Sequence, residues 1–251
     1  MIHAATINRL LAATTIEELW DLHTRKMAEY GFDRLIYGCT RFRTRTSLGD
    51  PDDFVVLSNH PPGYIEAFVD GGLYFHAPMV RWSLTNDGAC SWALLEERIL
   101  SGDVTSEERA VLEFNRAHGV TAGYSISFKS LRPRMKAAMA LTARRGMTQS
   151  EVDALWQEAG EIILAYNNLV HLCIQSLPYD SPKRSLTERQ REVLGWVGDG
   201  KTVQDIAMLM GLTPATVEKH LRLARKALSV ETTAQAVLKA AFQNQIFFLD
   251  V

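Results

Sequence analysis

Thr216, Glu218, Lys219, Arg222, Arg225 and Lys226 recur at the spacing that stacks side chains along one side of a helix. A largely cationic side of this kind neutralises phosphates, and Arg, Lys, Glu and Thr can also reach base edges when the first two turns enter a major groove. Lys201, Thr202 and Thr213 stand just ahead of neighbouring helical segments, where a cation or a hydroxyl can meet phosphate oxygens. A charged face is also what an ordinary solvated bundle helix displays. The turn Gly211-Leu212-Thr213-Pro214 separates the two readings, because a helix, a tight turn and a basic helix together form a much narrower pattern than a basic helix alone.

No catalytic chemistry is legible. Asp50, Asp52 and Asp53 share one polar loop, and the sequence holds no nucleophile elbow, no phosphate-binding loop and no His/Cys set at metal spacing. The expectation is therefore no catalytic residue, no metal and no cofactor. Cys39, Cys90 and Cys173 are odd in number and far apart, which argues against a disulfide framework and for reduced thiols. Cys90, near Trp92, has no activating neighbour in sequence.

The elements that must position the basic face are three helices between Ser185 and Leu228. Thr187 caps the first, with Gln190 as its capping-box partner, and Val193, Leu194 and Val197 turn inward before Gly198 and Gly200. Thr202 caps the second, where Ile206, Ala207 and Met210 share a buried side and Gly211 supplies the positive φ that ends it. Thr213 caps the third, Pro214 takes the first helical position, and Val217, Leu221, Ala224 and Leu228 face inward.

These residues resemble the C-terminal domain of LuxR-type transcription regulators, which is similar to that of NarL-type response regulators. The resemblance is carried by Leu186-Thr187, Arg189, Glu192-Val193-Leu194, Trp196, Gly200-Lys201-Thr202, Ile206-Ala207, Thr216-Val217, His220-Leu221, Lys226 and Leu228. Gln190 departs from the Glu that many relatives carry, and it can serve the same cap.

A chain of 251 residues, 47% hydrophobic, suggests two domains with ample core. No apolar run approaches the ~20 residues that span a bilayer, and the start lacks a leader pattern, so the expectation is a cytoplasmic protein without membrane attachment. From Ser181 onward ten basic and seven acidic residues leave a charge of +3, so the remainder carries −5 of the total of −2. That asymmetry favours nucleic acid at the C-terminal end.

Periodicity predicts opening helices over 7–27, a strand over 34–42, a polar loop over 43–53 and a short strand over 54–57. Asn59-His60-Pro61-Pro62 breaks the chain before a helix with Tyr64, Ile65 and Phe68, and helical pieces over 78–84 and 92–100 flank the turn Asn86-Asp87-Gly88. A helix over 106–118 follows. Strands over 120–128 and 135–143 then pair antiparallel around Leu131-Arg132-Pro133, ahead of a long helix over 151–176. The boundaries read from this order are a first domain at 1–176, a linker at 177–184 containing Pro178 and Pro182, and a second domain at 185–251.

This order resembles a full-length LuxR-type regulator. The resemblance implies an α+β N-terminal domain with an antiparallel sheet between helical layers, followed by an all-α helix-turn-helix domain. It also implies an acyl-homoserine lactone pocket between sheet and helices. Matching Asn59-His60-Pro61 to the family's Asn-Tyr-Pro places Tyr64 on the usual pocket Trp and Phe68 on the usual Tyr. Ala77-Pro78 then falls on the family's Asp-Pro, and Trp92 on a matching Trp. Alanine at 77 cannot accept the ligand amide N–H, His60 replaces a Tyr hydroxyl, and Ala138 and Ala140 stand where a family hydroxyl often meets the acyl carbonyl. An apolar lining of Tyr64, Phe68, Trp82 and Trp92 remains, with Thr40 and Ser125 as polar points. Each aromatic also reads as plain core, and His60 as a ligand anchor, a helix-entry residue or a pH-sensitive group.

The expected partners are double-stranded DNA, a second copy of the chain, and a small apolar or amphiphilic ligand other than a standard acyl-homoserine lactone. The alternative is a ligand-independent regulator whose N-terminal domain only dimerises or binds another regulator.

Overall fold

Alternation along the strands decides the architecture. The computed structural model describes residues 4–179 and 184–247, and the chain divides into two units, Met1–Gln175 and Ser176–Val251. Part of the expected linker, residues 180–183, lies outside the described residues. The first unit opens with α1 (Ala4–Ala12) and α2 (Ile16–Glu29), the latter capped by the Thr15 hydroxyl, which accepts from the Glu18 N–H. Five strands follow: β1 (Phe32–Thr40), β2 (Val55–Ser58), β3 (Gly88–Ser91), β4 (Gly123–Phe128) and β5 (Lys136–Ala143). They form one antiparallel sheet in the order β2-β1-β5-β4-β3.

On one side of the sheet stand large buried residues: Leu35 and Tyr37 of β1, Met139 and Leu141 of β5, and Tyr124, Ile126 and Phe128 of β4. They meet α7 (Gln149–Ser176), where Trp156 stacks on Tyr124 at 3.9 Å and His171 on Phe128 at 4.2 Å. The alternate residues Gly38, Ser125, Ala138 and Ala140 are small, because successive strand side chains point to opposite faces. Above this second side lie α3 (Pro62–Ile65), continuing in a π-helical turn to Asp70, then α4 (Pro78–Thr85), α5 (Ala93–Ser101) and α6 (Ser106–Ala117). The sheet thus sits between helical layers, as the resemblance implies.

One carboxylate joins three of the roof helices. Glu108 of α6 is 1% exposed and pairs with Arg98 of α5 at 3.0 Å and Arg81 of α4 at 3.2 Å. It also accepts from the Thr105 N–H in a capping box. Burial by itself raises the Glu108 pKa, but the Thr105 N–H and the Arg98 and Arg81 guanidinium groups reverse that and hold it below the usual carboxylate range.

The second unit holds α8 (Glu188–Gly198), α9 (Val203–Met210), α10 (Pro214–Ala227) and α11 (Thr233–Phe242). Val193, Leu194, Ile206, Ala207, Val217, Leu221, Ala224 and Leu228 form its core, as their spacing predicts. Gly211 ends α9 at φ 64°, and the Leu212 N–H returns to the Ala207 carbonyl at 2.9 Å.

Two elements escape the sequence reading. Strand β3 begins at Gly88 itself, inside the segment read as a turn, and pairs Cys90 with Ser125. Helix α11 adds Ala236 and Ala240 to the second core, and its buried Lys239 donates to the Leu228 carbonyl at 2.8 Å. Its signal was present as the Thr232–Gln235 capping box.

Burial drives the His23 imidazole down to about 3, and burial with Arg41 nearby drives that of His171 down to about 4. Both rings stay neutral in the folded chain and gain a proton on unfolding below an unfolded pKa of about 6.5. The unfolded state then binds more protons, so stability is full above about pH 6.5 and falls as pH drops from there toward 4. Denaturant unfolding at pH 7, 6 and 5 should show this loss, with up to about 1.4 kcal/mol per pH unit for each ring. His171→Gln should flatten the slope by one ring's share; an unchanged slope would refute the assignment.

Candidate functional site

Between the small side chains of the sheet and the roof helices lies a cavity of about 360 Å³. Its volume follows from residue size, since Gly38, Ala138 and Ala140 leave space that larger side chains would fill. Over this floor Tyr64 stacks on Phe68 at 5.5 Å and on Phe114 at 5.2 Å, and His60 stacks on Tyr64 at 4.4 Å. Tyr74 meets Phe54 edge-on at 5.9 Å. Trp92 closes on the sheet at Gly123, where an added Cβ would lie 3.0 Å from the indole and 2.2 Å from the Leu141 carbonyl oxygen.

Most polar side chains of the wall are already engaged. The Trp92 Nε1–H donates to Ser125 Oγ at 2.9 Å, the Tyr64 hydroxyl to Asn115 Oδ1 at 3.0 Å, and the Thr40 hydroxyl to the Leu48 carbonyl at 2.6 Å. His60 Nε2, the Tyr74 hydroxyl and Thr142 Oγ1 are buried without a hydrogen-bond partner. Burial foremost, then the Arg34 charge, drives the His60 imidazole down to about 4, so it is neutral near pH 7. Charged lining residues differ in placement: Glu96 and Arg116 are exposed, and Lys136 pairs with Asp87 at 2.8 Å. Ala77, 5% exposed, precedes α4 and turns only a methyl group to its surroundings.

Thr40, His60, Tyr64, Phe68 and Ala77 line this cavity, as do Trp92, Ser125, Ala138 and Ala140. Trp82 does not, and this corrects the expectation. The cavity-facing residues of α4 are Pro78, Met79, Val80, Ser83 and Leu84; Trp82 lies about 100° around the helix from Ser83 and borders a second concavity with Arg81 and Arg98. The sequence reading missed Tyr74 and Thr142. Thr142 was findable, since it continues the Ala138, Ala140 alternation along β5.

In the second unit Glu218, Lys219, Arg222 and Lys226 of α10 are exposed, and Thr216 is half-buried. The Thr213 hydroxyl accepts from the Thr216 N–H at 3.2 Å and lies 2.9 Å from the Thr216 hydroxyl. Thr202 caps α9 in a capping box with Asp205, and Lys201 beside it is exposed. Arg225 is half-buried, with one guanidinium nitrogen donating to the Thr233 hydroxyl at 2.8 Å, so α11 helps to orient it.

A sheet roofed over an apolar cavity, followed by four helices that present a basic helix after a tight turn, defines the class of DNA-binding regulators that carry a cavity-bearing first domain. The chain belongs to the LuxR family of bacterial transcription regulators: residues 15–174 match the autoinducer binding domain, and residues 184–240 match bacterial regulatory proteins of the luxR family. It is similar to the transcriptional activator protein AnoR of Acinetobacter nosocomialis, at 22% identity over 237 residues that cover 93% of this chain and 94% of that protein. The transcriptional activator protein LuxR of Aliivibrio fischeri is 24% identical over 196 residues, covering 77% and 76% of the two chains. Among solved structures, SdiA in complex with octanoyl-rac-glycerol shares the fold at a TM-score of 0.51 and 17% identity, over 98% of this chain and 96% of that one. No helix among the described residues is long and apolar enough to cross a membrane.

Ser125→Ala should leave the Trp92 N–H buried without its acceptor and cost about 1–3 kcal/mol in urea unfolding. The double variant with Trp92→Phe removes both partners, so its cost should fall short of the sum of the single ones. Additive costs would show that the bond contributes nothing.

Proposed function

We propose that this regulator responds to a small apolar or amphiphilic ligand other than a standard acyl-homoserine lactone, taken into the cavity of the first unit. The observation that carries this reading is the pairing of a 360 Å³ apolar cavity with a methyl group at Ala77, where the family resemblance implies a carboxylate. A buried amide N–H without its charged acceptor loses about 1.5–3 kcal/mol. Unsubstituted acyl-homoserine lactones should therefore bind at worse than about micromolar affinity, less than ~8.2 kcal/mol. A calorimetric panel of such lactones together with octanoyl-rac-glycerol, the compound SdiA holds, checks this. Nanomolar binding of any plain lactone would defeat the reading.

In this reading residues 1–176 sense and dimerise, residues 185–251 bind DNA, and the protein works in the cytoplasm. The chain acts as a homodimer on a roughly two-fold operator, because one helix-turn-helix reads few bases and two half-sites add their contacts. Helix α11 supports a paired state by exposing Leu238 and Phe242 four residues apart. The competing reading, a first unit that only dimerises or binds another regulator, draws on the bonds Trp92–Ser125 and Tyr64–Asn115, in which wall groups satisfy each other.

Thr216, Glu218, Lys219 and Arg222 face the major groove in this assignment, and Lys201, Thr202, Thr213, Arg225 and Lys226 face phosphates. Arg222→Ala should weaken binding to an operator selected from random duplexes by about 1–3 kcal/mol and relax its sequence preference. Lys201→Ala should weaken all sequences alike and reduce the salt slope by about 1. Gel-shift titrations over salt distinguish the two outcomes; full affinity and preference in folded Arg222→Ala would displace the recognition helix.

A further inference from the structure

We infer that the cavity seats its ligand by an uncharged oxygen-bearing group, a hydroxyl or carbonyl, placed over Thr142 with Ser125 and His60 beside it. This rests on the ligand reading above and deepens it, since it moves the polar anchor from the Ala77 wall to the sheet floor.

Three polar groups come together at one end of the sheet. Thr142 is 1% exposed, its Oγ1 has no partner, and it stands on β5 between Arg34 of β1 and Gly123 of β4. Ser125, two residues along β4 from Gly123 and 4% exposed, accepts from the Trp92 N–H. No acceptor for its own hydroxyl proton occurs among the described residues. His60 is 7% exposed, with Nε2 unpartnered. It follows Asn59, whose side chain accepts from the Leu35 N–H at 2.6 Å and donates to the Asp33 carbonyl at 2.9 Å, which holds this segment against the same end of β1. Buried polar atoms are ordinarily paired, so two orphaned atoms and one undirected hydroxyl lining one cavity mark the place of a polar ligand group.

The same end offers nothing to a charge. Arg34, opposite Thr142 in the β1–β5 register, already donates through its guanidinium to the carbonyls of His118, Gly119 and Ala143 and to Asp33, and the lining cation Arg116 is exposed. The neutral His60 ring supplies no cation, and the acidic lining residue Glu96 is exposed. A carboxylate or an ammonium group would lose its hydration there without a counter-charge. The apolar remainder of the ligand lies over Gly38 and Ala138, under Phe54 and Phe68.

The test uses the full-length chain and four ten-carbon probes: 1-decanol, 1-chlorodecane, decanoate and decylamine, titrated by calorimetry at pH 7.5. Decanol should bind at least tenfold more tightly than the two charged probes. Thr142→Val, which keeps shape and removes the hydroxyl, should weaken decanol about tenfold while leaving 1-chlorodecane unchanged, and that difference separates recognition from general loosening. His60→Phe should act in the same direction. If decanoate or decylamine equals decanol, or if Thr142→Val spares decanol or weakens both uncharged probes alike, this inference fails and the ligand reading stands. If none of the four binds, both fail.

Discussion

A strand must send successive side chains to opposite faces, and every functional feature of the first unit depends on how this sequence uses that constraint. Large residues on one side, such as Tyr37, Met139 and Ile126, fill the space against α7. Small ones on the other, Gly38, Ala138 and Ala140, leave it unfilled. A shift of β1 by one residue against β5 would exchange the faces of that strand, turning Gly38 toward the helix and driving Tyr37 into the cavity. The packed core and the open cavity are thus two faces of one pairing.

The polar groups follow a related division. Trp92, Tyr64 and Thr40 direct their hydrogens to other protein groups, which fixes the wall in one shape. Such bonds set the geometry of a site without being available to its occupant. Ala77 belongs with this pattern, because its N–H donates to the Tyr74 carbonyl and its carbonyl accepts from the Arg81 N–H, which leaves only a methyl group on the wall.

How much was legible in the sequence depended on whether the signal was local. The second unit was readable through α10 because caps, a positive-φ glycine and inward spacing all lie within one or two turns of what they specify: Thr187, Thr202, Thr213 and Gly211 each appear in their expected role. Helix α11 carries the same kind of signal in the Thr232–Gln235 capping box, but it lies beyond the three-helix pattern that ends at Leu228. In the first unit, element types and the antiparallel pair β4–β5 were readable, but the direction of a side chain was not. Trp82 misses the cavity by one helical step, and Tyr74 enters it from a short 3-10 turn without periodicity. Strand β3 is four residues long and needs its partner β4 to exist at all.

The clasp at Glu108 has a consequence in time. Its carboxylate holds α5 through Arg98 and α4 through Arg81 while capping α6 at Thr105, so parting any one of these helices from the others strands a buried charge. The three helices are therefore tied together at one carboxylate. Opening of this roof is therefore a collective step, slow compared with the rotation of a single side chain.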